Sequence, residues 1–226
     1  MAKYIIGDFF SAFRIDRLKQ NKASFTCICL TAYIIWMSIF VNRGWSDREI
    51  AWRNVIVENA LFLPMIFSFC SVMAHPVQLT KMMYLCPMSP GERRRYIYGS
   101  YYFRIGMHML VFAAGLCVIV ANAYCDVISM IQILLNDAIA AVMLNHRQQT
   151  GDRGRAMVIG EILFVTAALS NAMQFCIVCD MTPGNWIQWV LFFLFCLVQL
   201  PLGIWYVKYI RRVLRRAVYY ENSLEN

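Results

Sequence analysis

Four ionisable residues stand inside stretches otherwise dominated by apolar side chains. Arg104 and His108 lie in YYFRIGMHMLVFAAG, Asp137 in ILLNDAIAAVM, and Glu161 in MVIGEILFVTAAL. A charge in such surroundings needs a counter-charge, hydrogen-bonding partners or water. Acid, base and cation at membrane depth have the composition of a proton relay, the chemistry of an ion-coupled carrier. The same residues can instead be polar contacts that hold helices together. No hydrolase constellation accompanies them: HExxH and GxSxG are absent, and no pair of aspartates forms a recognisable intramembrane protease motif. The three histidines, His75, His108 and His146, are too scattered for a metal site.

The elements that must position these groups follow from composition. The chain has 226 residues, 60% hydrophobic and only 15% charged, which is too apolar for a water-soluble globule of this size. The net charge of +8 sits in short clusters between apolar runs, a membrane pattern rather than a nucleic-acid-binding face. Six stretches approach the roughly 20 residues that cross a bilayer: Ser24–Val41, Val55–Ala74, Tyr101–Ala121, Val127–Asn145, Met157–Cys179 and Trp186–Tyr206. The fourth is interrupted by Asn136 and Asp137. With no repeat or low-complexity linker, residues 1–226 read as one all-α polytopic domain with six transmembrane helices.

Basic residues orient it. The segment before the first span, the joint between spans two and three with Arg104 just beyond it, the loop at 146–156 and the tail at 207–226 carry 18 of the 21 Lys and Arg; Arg43, Arg48 and Arg53 are the remainder. The positive-inside rule places both termini, the joint and the 146–156 loop in the cytoplasm. At 1.5 Å per residue, Arg104 and Glu161 then lie about 5–6 Å from the inner edge, and His108 and Asp137 about 10–12 Å. Depth therefore pairs Arg104 with Glu161 and His108 with Asp137. Glu58, near the outer end of span two, is within reach of Arg53.

At the N-terminus, Ile6, Phe9, Phe10 and Phe13 recur at helical spacing, which predicts an amphipathic helix within residues 1–22 lying in the interface plane. Its charges and lack of a cleavage site do not read as a secretory signal. Most of the nine cysteines lie in apolar runs and act as small hydrophobes. Cys125 and Cys179 both fall at outer span ends, where a disulfide and two separate thiols are both open.

The joint at 75–100 has internal structure of its own. Ser89-Pro90-Gly91-Glu92 is a capping box with proline at the first helical position. It predicts a helix from Pro90 through Arg93–Arg95 into the third span. Before it, Pro76–Cys86 reads as a short helix ended by Pro87. Those three arginines can also serve only to set topology and meet anionic headgroups.

This layout resembles the first cytoplasmic loop of the ABC-2 type permeases, the membrane subunits of many bacterial ABC exporters. In that family a short coupling helix ends in a small-Pro-aliphatic-Ser segment, here Cys86-Pro87-Met88-Ser89, and a basic helix follows. The resemblance implies a coupling surface made of Val77, Leu79, Lys81, Met82, Met83, Tyr84 and Leu85, with Glu92, Arg93 and Arg94 nearby. The family's usual acidic residues at the start of that helix are replaced here by His75, Gln78 and Lys81. The chain has no GxxxxGK[ST] loop, so the resemblance implies a separate P-loop ATPase subunit that binds ATP and Mg, with no cofactor and no metal held by this chain. It also implies a second permease copy or a sister permease, a bacterial plasma-membrane location and no nucleic acid. Small six-span members without a large outer domain are similar to exporters of membrane-active peptides, including the phenol-soluble modulin group. By the same resemblance a cargo path would draw on spans one, two and five at a dimer interface: Tyr33, Trp36, Phe40, Phe62, Phe67, Phe69, Asn171 and Gln174. Such an aromatic lining suits an amphipathic peptide, or secondarily a lipid-like molecule. The competing reading is an ion-coupled carrier or membrane immunity protein without an ATPase.

Overall fold

A computed structural model describes residues 2–11, 22–44, 47–74, 88–123, 125–143, 153–179 and 185–219. Seven α-helices account for nearly all of them: α1 (Ala2–Ser11), α2 (Lys22–Asn42), α3 (Arg48–Ala74), α4 (Pro90–Asn122), α5 (Val127–Val142), α6 (Arg153–Val178) and α7 (Asn185–Tyr219). Four contain stretches long and apolar enough to cross a membrane: Arg48–Val72, Pro90–Asn122, Val158–Val178 and Phe192–Val218. Ile28–Asn42 of α2 and Val127–Val142 are shorter apolar stretches. The chain is thus an all-α protein of membrane-spanning character.

Each apolar stretch of the sequence lies on one of helices α2 to α7, and several boundaries carry a visible cause. Ser89 caps α4: its Oγ accepts from the Glu92 amide at 3.3 Å, and the Ser89 amide donates to Glu92 Oε2 at 2.9 Å. Both halves of the expected capping box are present, with Pro90 at the first helical position. Asp126 caps α5 by accepting from the Ser129 amide at 2.9 Å. That helix stops at Val142, short of the Asn145 expected from hydropathy, and its 16 residues rise only about 24 Å.

The bundle is organised around α4, against which α1, α3, α5 and α7 all pack. One apolar core joins Met65, Tyr101, Phe112, Ala140, Leu163, Tyr206 and Leu214 from five helices. A second, toward the other end, gathers Val57, Leu61, Ile119, Ile133, Val178 and Cys179. Where α3 meets α4, Pro64 has no amide hydrogen, so the Ala60 carbonyl loses its helical donor. Gly115 comes so close to that carbonyl that a Cβ there would lie 2.7 Å from the oxygen.

The N-terminal helix packs against α4. Phe9 is buried edge-on against Phe103, with ring centroids 5.4 Å apart. Tyr96 Oη donates to Asp8 Oδ2 at 3.1 Å. The basic stretch after the last span is not a separate tail: α7 continues to Tyr219, and Ile210, Val213, Leu214 and Val218 are buried in the main core. Pro201 stands within this helix and leaves the Leu197 carbonyl without its usual donor.

Candidate functional site

The polar residues buried around α5 include two hydrogen-bonded networks. The first lies between α3, α4 and α5. Arg104 is fully buried, 2% exposed, yet it does not pair with Glu161, which is exposed on α6. Its Nη2 donates to the Met143 carbonyl, and its guanidinium lies over the Tyr101 ring, 5.2 Å from the centroid. One turn away, Tyr101 Oη donates to the Val142 carbonyl at 3.1 Å. These are the carbonyls at the C-terminal end of α5, where the helix dipole is negative and the helix itself supplies no further donor. A helix end therefore takes the role expected of a carboxylate.

His108 likewise does not bond to Asp137. Its Nδ1 lies 3.1 Å from Ser68 Oγ, and its Nε2 bonds to Ser71 Oγ. Ser68 Oγ donates its one hydrogen to the Ala140 carbonyl at 2.8 Å, so the hydrogen in the His108–Ser68 contact belongs to Nδ1. Ser71 Oγ also has a carbonyl acceptor, that of Ser68 at 3.0 Å, so its one hydrogen is shared between that carbonyl and Nε2. Phe67 covers this imidazole edge-on at 5.4 Å. Asp137 is 5% exposed and outside both networks, so among the described residues no hydrogen-bonded chain joins the acid to the base.

The second network is made of amides. Asn136 Nδ2 donates to Asn171 Oδ1 at 2.6 Å, and Asn136 Oδ1 accepts from Gln199 Nε2 at 3.1 Å and Gln132 Nε2 at 3.2 Å. Gln132 Nε2 also reaches Ser170 Oγ at 2.9 Å and Gln199 Oε1 at 3.1 Å. Asn171 Nδ2 lies 2.9 Å from Met65 Sδ and 3.4 Å from the Leu61 carbonyl, beside Pro64. Gln132, Asn136, Ser170, Asn171 and Gln199 all have 0% exposure. Uncharged donors and acceptors from α5, α6 and α7 thus meet in the buried interior, where interhelical hydrogen bonds are worth about 1 kcal/mol each.

No family model, no curated protein and no solved structure matches this chain.

The remaining expected residues are spread over the molecule. Val77, Leu79, Lys81, Met82, Met83, Tyr84 and Leu85 lie outside the described residues. Glu92 is committed to the cap. Arg93 turns back to donate to the Met88 carbonyl through Nε at 3.3 Å and Nη2 at 3.1 Å. Arg94 is exposed, over the Tyr98 ring at 5.6 Å. Tyr33, Trp36 and Phe40 form an exposed aromatic ladder on α2, with Trp36 and Phe40 stacked at 5.5 Å. Phe62 packs against the second apolar core, and Phe69 packs on Phe164 at 5.5 Å. Asn171 belongs to the amide network. Gln174 is buried with an unpartnered Oε1. Within the single chain the α2 aromatics are exposed, whereas Asn171 and Gln174 are buried. Glu58 accepts from Ser38 Oγ at 2.8 Å and Asn42 Nδ2 at 3.1 Å, in place of the expected Arg53.

Sequence reasoning missed Gln132, Ser170, Gln199, Ser68 and Ser71 as members of these networks. A signal was available: Gln132 and Asn136 are four apart and Ser68 and Ser71 three apart, spacings that put each pair on one helical face.

Proposed function

We propose that the chain is the membrane subunit of an ATP-driven exporter of the ABC-2 type. In this reading it crosses the bacterial plasma membrane six times, has both termini in the cytoplasm, and moves amphipathic peptides outward. The observation that carries the reading is the second half of the joint. A proline-led capping box at Ser89–Glu92 starts a helix of 33 residues that passes from Arg93–Arg95 without a break into an apolar span. That arrangement supports a firm cytoplasmic platform behind the segment Val77–Leu85, on which a P-loop ATPase would dock. Closure of two ATPase subunits on ATP would then move this platform and the spans attached to it. The chain would work as a homodimer or with a sister permease.

The test is association and coupling. The chain is expressed with candidate soluble P-loop ATPases from its own cell, and co-purification and ATPase activity are measured. Tyr84→Ala is expected to weaken association while leaving membrane insertion intact, since truncating an interface anchor often costs about 2 kcal/mol or more. In reconstituted complexes, helical amphipathic peptides are expected to stimulate ATP hydrolysis. Stimulation by small hydrophilic solutes alone would reject the cargo class, and failure of every ATPase to associate would reject the exporter reading.

A further inference from the structure

Where α2 ends and α3 begins, a recess of about 450 Å³ opens between the two helices. Arg43 and Arg48 stand on its walls, with Trp52, Ile39 and Val55 supplying apolar surface. Among the described residues neither guanidinium is held in an ion pair. Asn42 also lines the recess and is only 1% exposed. Its Nδ2 is occupied by the Ser38 carbonyl at 2.9 Å and by Glu58 Oε2 at 3.1 Å. Its Oδ1 is buried with no hydrogen-bond partner. The built features are therefore two cations, a buried amide acceptor lacking a donor, and an aromatic-aliphatic wall.

Each feature restricts the ligand. Two guanidiniums select an anion with several acceptor oxygens, as phosphate has. The orphan Oδ1 selects an N–H or O–H on the same molecule, because a buried acceptor left unmatched is costly. Trp52 with Ile39 and Val55 selects an apolar portion beyond the polar head. The candidate membrane stretch in α3 begins at Arg48, so the recess lies at the border where lipid headgroups sit. We propose that this recess binds the head of a membrane phospholipid that carries a hydrogen-bond donor beyond its phosphate, such as an aminoethyl or glyceryl head. The phosphate would sit on Arg43 and Arg48, the donor on Asn42 Oδ1, and the glycerol and upper acyl chain on Trp52. The inference is independent of whether the chain transports anything.

The test uses the full chain, purified in mild detergent and stripped of lipid. It is titrated with phosphatidylethanolamine, phosphatidylglycerol and phosphatidylcholine of identical acyl chains, and retention is read by native mass spectrometry. Phosphatidylcholine has no N–H or O–H in its head and is expected to be held at least about tenfold more weakly than the other two. Arg43→Gln with Arg48→Gln is expected to weaken the two better lipids roughly thirtyfold, as two headgroup-facing cations would. Both arginines are exposed, so the melting temperature should hold. Asn42→Ala is expected to abolish the preference among lipids. Equal retention of all three lipids, or unchanged retention in the double arginine variant, overturns the proposal. A last arm adds soluble glycerophosphoethanolamine. If it displaces the lipid at equal concentration, the occupant is a free phosphate ester and the lipid assignment is wrong.

Discussion

Gly115 on α4 faces the Ala60 carbonyl on α3, the same carbonyl that Pro64 leaves without a donor. The two helices approach there because one residue has no side chain and the other has an unsatisfied oxygen. Gly115→Val should therefore force them apart and destabilise the bundle by about 1–3 kcal/mol. Gly106→Ala, on the same helix with nothing within 4 Å of its added Cβ, should be near neutral or slightly stabilising. Thermal unfolding in detergent would check both.

Tyr101→Phe removes the hydroxyl that serves the Val142 carbonyl and leaves the ring beneath Arg104. The expected cost is about 1 kcal/mol. Arg104→Lys should be worse than its charge conservation implies, because a lysine lacks the planar face that lies over the Tyr101 ring. Melting temperatures of the two variants would show the order.

Asn136→Leu should destabilise the amide network by about 1–2 kcal/mol, since it strands groups on Asn171, Gln132 and Gln199 together. Because Asn136 and Asn171 share a bond, adding Asn171→Leu should cost less than its effect alone. A double-mutant cycle on unfolding free energy is the check.

Cys125, in the turn between α4 and α5, has a free thiol held up to about 11 by burial and then by the neighbouring Asp126 carboxylate. Raising an acid's value above its ordinary range keeps it protonated at neutral pH, and thiolate is the reactive form. Alkylation of Cys125 in the folded chain should accelerate as pH rises toward about 11, instead of levelling off above its ordinary value near 9. Mass mapping of iodoacetamide adducts against pH would report it. The denatured chain should react faster at pH 8.

Orientation rests on the distribution of 18 of 21 basic residues. An engineered cysteine at Ser46 should react with an impermeant maleimide from outside intact cells, and one at Thr150 only after the membrane is opened. Labelling of Thr150→Cys in intact cells would invert the orientation.

Helix positions and the Ser89 cap were legible because hydropathy and capping depend on nearby residues. Partner choice was not, because depth along a span fixes height and leaves rotation about the helix axis free. Residue counting puts Arg104 and Glu161 at one level, but Arg104 turns inward to the end of α5 and Glu161 is exposed. Asn136 looked like an interruption of an apolar run because its partners, Asn171 and Gln199, are 35 and 63 residues away. The end of α5 at Val142 was equally hidden, since the two groups that serve its carbonyls come from α4.

Pro201 divides α7 into halves with different surroundings. Beyond it, Tyr206, Ile210, Val213 and Leu214 are fixed in the core; before it, Trp189, Phe193, Leu194 and Leu197 have their side chains outside. With the Leu197 carbonyl missing its donor, resistance to bending is lowest at that point. Gln199, two residues before Pro201, ties this weak point to α5 through its bonds to Gln132 and Asn136. The amide network thereby acts as a splint: it braces a long helix from the side at the place where the backbone ladder has lost a rung.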